Sequence, residues 1–259
     1  SLRDMLGGVR ERVPVGVSLG TYPRVDDLLR DVEHYLSQGY RRIKVKIKPG
    51  WDVDVLAAIR RVFGDIPLTA DANMAYTLDD VDRLKRLDEY GLTYMEEPLD
   101  GENVWAYAQL QPQISTPVCL DETIRRRIDA ERAIELQACR VLNIKAGRVG
   151  GLGEVLQIHE LAQKADVPLW CGGMLESGVG RAMNLAMAAL PGFVYPGDIS
   201  ASERYYRRDI VHPPAVLNAD GTVDVPAGPG IGAELDWEAV NHYTVRTRMI
   251  PLNGVKNLS

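Results

Sequence analysis

Charged residues recur in this chain at a near-constant interval, each closing a short apolar run. Asp71 comes 25 residues after Lys46, Glu96 and Asp121 follow at further intervals of 25, and Lys145 lies 24 beyond Asp121. The runs before them, such as Leu68-Thr69-Ala70 and Val118-Cys119-Leu120, are strand-like, and segments with helical patterning lie between. A repeat of this length, strand then helix, is a βα unit. Consecutive units give parallel strands, and a series of them closes into an α/β fold of the TIM type, a (β/α)8 barrel. The five charges then gather at the C-terminal mouth, the end where such barrels do their chemistry.

The lysine-bearing run shows the period most plainly. Ile43, Val45 and Ile47 alternate with Lys44, Lys46 and Lys48, and Pro49-Gly50 ends the strand. An exposed edge strand can carry lysines in this way to deter aggregation, but the phased acids downstream argue against it. A barrel axis is ordinarily packed with apolar side chains, so Lys44 and Lys46 are expected high, near the mouth, with partners.

The repeat extends along the chain. Strands are expected at 15–20, 43–48, 68–71, 94–96, 118–121, 141–145, 168–171 and 193–195. Helices are expected at 25–38, 53–63, 104–110, 124–137 and 152–164, and Thr77-Leu78-Asp79-Asp80 opens another with a polar cap and acidic first turn. Residues 146–151 read as a flexible loop, and 172–180 as a Gly-rich mouth loop before a helix. Such a loop can cradle a phosphate, but no P-loop lysine or Gly-x-Gly-x-x-Gly accompanies it, which disfavours nucleotide binding. At 259 residues the chain is close to the roughly 250 of one barrel, so residues 1–259 are expected to form one domain. Residues 1–12 read as a lead-in and 220–259 as a tail packing on the barrel.

Composition excludes several function classes. The net charge of −6 argues against a nucleic-acid partner. No apolar run reaches the ~18 residues that span a membrane, and Ser1-Leu2-Arg3-Asp4 does not start a signal peptide. Cys119, Cys139 and Cys171 lie in or beside expected strands and read as reduced core cysteines of a cytoplasmic protein. His34, His159, His212 and His242 are scattered and none ends a strand, which disfavours zinc hydrolysis. Arg125-Arg126-Arg127 reads as a solvated helix start.

Asp71, Glu96 and Asp121, on adjacent strands, would repel one another and raise one another's pKa without a cation. A divalent cation removes that cost; an all-oxygen ligand set favours Mg²⁺, with Mn²⁺ as the alternative. The competing reading is an ion-pair network with Lys46 and Lys145. Lys44 and Lys46 lie on one side of the acid strands and Lys145 on the other, so the lysines face each other across them. Neighbouring cations favour the neutral, basic form of an amine. The set suits removal of a proton α to a carboxylate, with the cation stabilising the enolate.

These stretches carry a family resemblance. Lys44-Val45-Lys46, Asp71-Ala72-Asn73, Glu96-Glu97-Pro98, Asp121-Glu122, Asn143-Ile144-Lys145, the loop from Gly172 to Arg181 and Pro196-Gly197-Asp198-Ile199-Ser200 resemble the catalytic barrel of the enolase superfamily. The similarity is to the branch of o-succinylbenzoate synthases and N-acylamino-acid racemases, and it covers nearly the whole chain. Lysine bases working with Mg²⁺ are a known pattern of that superfamily. The resemblance implies Asp71, Glu96 and Asp121 as Mg²⁺ ligands and Lys46 and Lys145 as acid and base. It implies Lys44, Asn73, Glu97 and Glu122 in support, and Gly173, Met174 and Ser200 in the substrate pocket.

It further implies a small-molecule carboxylate substrate: a syn dehydration in menaquinone biosynthesis, a lyase reaction, or racemisation between opposed lysines. It also implies an N-terminal α+β capping domain over the mouth; this sequence begins at what resembles the joint before the first barrel strand. Dipeptide epimerisation and muconate cycloisomerisation would need a different loop after the last strand, in the epimerases an acidic residue reading a substrate amine. A catalytically inert binding barrel and a Schiff-base aldolase using Lys145 are the remaining alternatives. A homo-oligomer is expected if the outer helix face is apolar.

Overall fold

Seven short parallel strands form the frame on which the phased charges are mounted. The computed structural model describes residues 1–248. The chain opens with α1 (Leu2–Leu6), β1 (Arg12–Pro14) and β2 (Val17–Leu19). It then alternates α2 (Val25–Ser37), β3 (Ile43–Lys46), α3 (Val53–Phe63), β4 (Leu68–Asp71), α4 (Val81–Leu87), β5 (Met95–Glu96), α5 (Val104–Leu110) and β6 (Val118–Leu120). The alternation continues with α6 (Arg127–Glu135), β7 (Val141–Ile144), α7 (Ala146–Val149), α8 (Leu152–Lys164), β8 (Leu169–Cys171) and α9 (Gly178–Ala188). The last part holds β9 (Val211–His212), β10 (Thr222–Asp224), β11 (Glu234–Leu235) and α10 (Trp237–Tyr243). Residues 249–259, the end of the expected tail, lie outside the described residues.

Strands β2 to β8 pair in chain order, each parallel to the last. Local chemistry explains the alternation. The Asp52 carboxylate accepts the Val53 amide at 2.7 Å and starts α3, and Gly64 follows its end at φ 65°. Thr77 and Asp80 form a reciprocal capping box, so the segment at 77 enters through a 3₁₀ turn before α4 begins. In the helices that follow the barrel strands an apolar stripe faces the sheet: Leu28 and Val32 in α2, Val55, Leu56 and Ile59 in α3, and Val155 and Ile158 in α8 are buried. These pack with the outward strand residues Ile43, Val45, Leu68, Ala70, Leu120, Leu142 and Ile144 in one continuous core.

Four expectations are corrected. The eighth strand, placed at 193–195, makes no ladder. Its segment closes the barrel by isolated bridges, Phe193 to Leu169 and Gly197 to Val15, with the Gly16 amide donating to the Gly197 carbonyl at 2.9 Å. Pro196 cannot donate to a ladder, which shortens any pairing there. Residues 146–151 are not a plain loop: α7 occupies Ala146–Val149 and ends at Gly150 with φ 98°. The helix expected at 124–137 is shorter, Arg127–Glu135. The barrel axis is not apolar below the mouth. Lys44 is 3% exposed, and Arg42, one step lower on the same face, is 2% exposed. Tyr94, Cys119, Val141 and Trp170 complete that interior as a small separate cluster.

Near the start of the chain β1 runs antiparallel to β10, with Arg12 beside Asp224. Cys119, Cys139 and Cys171 are buried free thiols. No helix among the described residues is long and apolar enough to cross a membrane.

Candidate active site at the barrel mouth

Strand register brings the phased charges together, with one offset. Lys46 lies beside Asp71, and Asp71 beside Glu96. The neighbour of Glu96 on β6 is Cys119, so Asp121 stands two residues past that row. The equal spacing in sequence therefore does not place all three acids in one row. Barrel strands stagger as they go round, and a two-residue step keeps Asp121 pointing inward. Lys145 follows the end of β7.

The acids and the lysines interlock. Lys46 Nζ donates to Asp71 Oδ2 at 2.6 Å, and Lys145 Nζ to Asp121 Oδ2 at 2.6 Å. Lys44 Nζ sits 2.7 Å from Glu96 Oε2, 2.7 Å from Asp198 Oδ2 and 3.3 Å from Asp71 Oδ2. Asn143 Nδ2 donates to Glu96 Oε1 at 2.8 Å, and Arg148 pairs with Asp121 Oδ1. Asp71, Glu96 and Asp121 are at most 2% exposed, whereas the side chain of Lys46 is 31% exposed and reaches the opening.

Burial and like charge act on these groups. Burial, and then the charge of Asp71, push Glu96 up to about 8 against the attraction of Lys44. Burial would also raise Asp71, but Lys44 and Lys46 hold it below its ordinary value. Lys44 is pulled down by burial, and Asp198, Glu96 and Asp71 outweigh that and hold it well above the usual lysine range. Asp198 is buried too, yet Arg42 and Lys44 keep it well below the usual carboxylate range.

A polar layer braces this row. Asn73 accepts from Lys46 Nζ, its Nδ2 donates to Glu122 Oε1 at 3.0 Å, and its amide donates to Asp71 Oδ1 at 3.1 Å. Glu97 accepts from the Asp121 amide at 2.5 Å, from Tyr107 Oη at 3.0 Å and from the Thr123 hydroxyl, and so ties β5 to the turn carrying Asp121. Burial pushes Glu97 up to about 7 against those hydrogen bonds. Asn73 and Glu97 hold φ of 42° and 39°, left-handed values uncommon outside glycine. Such backbone positions persist where surrounding contacts over-determine them.

The mouth holds a cavity of about 150 Å³ lined by Ser18, Lys44, Lys46, Asp71, Asn73, Lys145, Gly173, Leu175, Asp198 and Tyr205. Gly173 is in this lining. Met174 is not: it is 57% exposed beside the opening, and its amide donates to Glu176 Oε2 at 2.9 Å. Ser200 does not line the cavity either; it is fully buried and donates to the Gly16 carbonyl at 3.0 Å, which pins the closing segment to β2. A larger cavity of about 390 Å³ between α9 and the 211–233 segment has one ionisable side chain in its lining, Asp224.

Sequence reasoning missed Arg42, Arg148 and Asp198. Each had a signal. Arg42 shares the inward parity of Lys44 and Lys46, Arg148 lies one helical turn after Lys145, and Asp198 follows Pro196-Gly197 where the eighth repeat ends.

As they stand, no three His, Cys, Asp or Glu side chains among the described residues are grouped to hold a metal ion. The acid oxygens are turned to the ammonium and guanidinium groups instead. The donor set nevertheless fits a hard divalent cation. It offers three buried carboxylates at adjacent strand ends, one pushed up to about 8 by burial and its neighbour, and an unpartnered amide oxygen, Asn143 Oδ1. Loading would exchange lysine contacts for cation contacts.

Residues 27–240 match the family of enolase C-terminal domain-like barrels. The chain is 54% identical over 243 residues to an o-succinylbenzoate synthase of Geobacillus stearothermophilus, covering 94% of this chain and 64% of that protein. It is 53% identical over 247 residues to an N-succinylamino acid racemase of Thermus thermophilus, covering 95% of this chain and 67% of that protein. The chain thus spans about two thirds of the length of these relatives. Among solved structures, an enolase-superfamily member of Listeria innocua superposes with a TM-score of 0.90 at 45% identity, covering 94% of this chain and 65% of that one. A dipeptide epimerase of Cytophaga hutchinsonii, complexed with Mg and a dipeptide, superposes with a TM-score of 0.84 at 27% identity, covering 93% and 66%.

Proposed function

Because this chain belongs to the enolase superfamily, among the o-succinylbenzoate synthases and N-succinylamino acid racemases, we propose that its mouth abstracts a proton α to a carboxylate with Lys46 and Lys145. One observation carries this reading: Lys46 and Lys145 each stand 2.6 Å from a different buried acid, at opposite ends of the acid group. A substrate carbon over the acids would have an amine on each side.

Asp71, Glu96 and Asp121 would hold Mg²⁺ or Mn²⁺. When bound, the cation supplies positive charge to the substrate carboxylate as that group becomes an enolate. The remaining steps belong to the chain's own residues. Lys46 takes the α-proton at its Nζ, and Asn73 holds that amine in place through its side-chain oxygen. Lys145 faces the other side of the same carbon. For an N-acylated amino acid it returns a proton there, which inverts the centre. For a β-hydroxy acid it remains protonated and stabilises the enolate, while Lys46 gives the proton it took to the departing hydroxyl, which leaves as water. Glu97 holds the Asp121 turn, and Glu122 orients Asn73.

A dipeptide substrate is disfavoured by Asp198. It is the acid of the closing segment, but Arg42 Nη2 and Lys44 Nζ each lie 2.7 Å from its oxygens, which leaves little of its charge for a substrate amine.

The test offers the protein one enantiomer of an N-succinylamino acid and, separately, the hydroxy-acid precursor of o-succinylbenzoate, each with Mg²⁺ and with EDTA. Chiral chromatography follows the first reaction and product absorbance the second. Metal-dependent turnover of either supports the reading, and the faster ranks racemase against synthase. Turnover of a dipeptide alone would contradict it.

A further inference from the structure

Lys44 is in contact with three carboxylates, and only two of them belong to the proposed cation site. The third, Asp198, comes from the closing segment, which is separated from β3 by β2. We propose that Asp198 is a positioning residue: it holds Lys44 as a counter-ion so that a divalent cation, and not the lysine, takes Asp71 and Glu96. This inference rests on the reading of Asp71, Glu96 and Asp121 as a cation site.

The contact is built into the closure. One oxygen of Asp198 faces Lys44 Nζ at 2.7 Å and the other accepts from Arg42 Nη2 at 2.7 Å. Arg42 is anchored by the carbonyls of Pro196 at 2.9 Å and Val17 at 3.2 Å. A side chain at Gly16 would meet the Arg42 guanidinium, its Cβ 2.8 Å from Cζ, and one at Gly173 would overlap the Asp198 carbonyl. The Asp198 amide donates to the Cys171 carbonyl at 2.9 Å. Trp170 backs both cations, its ring centre 4.7 Å from Lys44 Nζ and 5.3 Å from Arg42 Cζ.

Charge accounting then assigns the role. An ammonium and a divalent cation on the same carboxylate oxygens repel strongly in a low-dielectric interior. A buried lysine that gives up Asp71 and Glu96 with no other partner is an uncompensated charge, and such a state is strongly disfavoured. Asp198 provides the partner. Without its charge, Lys44 has only the two acids the cation needs, and it becomes the competitor.

The test uses the whole protein and Mn²⁺ as the probe, with free Mn²⁺ read by electron paramagnetic resonance. Asp198→Asn is expected to weaken Mn²⁺ binding by about tenfold or more, the scale of a broken buried pair. Lys44→Met added to Asp198→Asn removes the competitor and is expected to restore binding to within about threefold of the parent, which a merely structural loss at the barrel seam would not allow. Unchanged affinity in Asp198→Asn, or weakened affinity that Lys44→Met fails to restore, overturns the inference. A parent protein that takes up no Mn²⁺ sinks the cation-site reading itself, a separate failure. Thermal melts by circular dichroism establish folding of the variants. Should Asp198→Asn not fold, a crystal structure of the Mn²⁺-loaded parent decides. Lys44 Nζ on Asp198 and out of reach of Asp71 supports the inference; Lys44 retained by the acids, with Asp198 on Arg42 alone, refutes it.

Discussion

The two faces of the barrel strands share a backbone and have opposite chemistry. On β3 and β4 the outward residues are Ile43, Val45, Leu68 and Ala70, all in the continuous apolar core. The inward residues of the same stretch are Arg42, Lys44, Thr69 and Asp71, all buried and polar. Burying an aliphatic side chain contributes about 1.5–3 kcal/mol, so the outward face holds the fold. Burying charges carries a desolvation cost that pairing barely offsets, and apolar replacements of such clusters are often more stable. A barrel selected for stability alone would therefore fill its axis with apolar layers. This one keeps lysines and acids there, and places where a structure departs from the stable choice are where function is expected.

Substitutions can break the contrast from either side. The largest effect is expected at the mouth. Lys145→Ala should lower racemisation by on the order of 10²–10⁴, the range of a lost acid–base group, and dehydration by less, with the melting temperature nearly unchanged. Chiral chromatography and a thermal melt on the same sample check this. Next, Leu68→Ala on the outward face should cost about 2–5 kcal/mol in urea unfolding, while the protein that remains folded keeps its Mn²⁺ affinity. A loss of stability from the first substitution and none from the second would reverse the assignment of the faces.

A smaller effect is expected with pH in the metal-free protein. Glu96 is held at about 8 and Glu97 at about 7, both above the ordinary 4.5 of an unfolded chain. The folded state therefore binds more protons than the unfolded state between those values, and stability should fall as pH rises from about 5 to 8. Asp71 and Asp198 are held low and act in the opposite sense, but only below their ordinary 3.8, outside this window. Melts in EDTA across that range should show the decline, and Glu96→Gln should flatten it. A melting temperature that rises over the range would contradict the assignment. The smallest effect is expected at Met174, 57% exposed beside the opening. Met174→Ala should change unfolding free energy by less than about 0.5 kcal/mol and act on KM more than on kcat.

The outward face was the more legible of the two. Its period and its helix caps are local, and the helices at 53–63, 104–110 and 152–164 have the bounds the sequence implies. The phased charges located the mouth because each ends a strand. What stayed hidden depends on contacts between distant residues. Arg42 meets Asp198 across 156 positions, and Arg12 pairs with Asp224. The closing segment has no period to read, because it is held by single bridges and by Ser200 under Gly16. The two-residue step of Asp121 follows from barrel stagger, which equal spacing does not reveal.

The central claim is that Lys46, beside three acids able to take a cation, removes a proton α to a carboxylate. The direct measurement is exchange of that proton for deuterium in D₂O, followed by proton NMR on one enantiomer of an N-succinylamino acid, with Mg²⁺ and with EDTA. Exchange in the parent that needs Mg²⁺ and disappears in Lys46→Ala is the predicted result. Exchange that persists in EDTA, or that survives Lys46→Ala undiminished, would contradict the account.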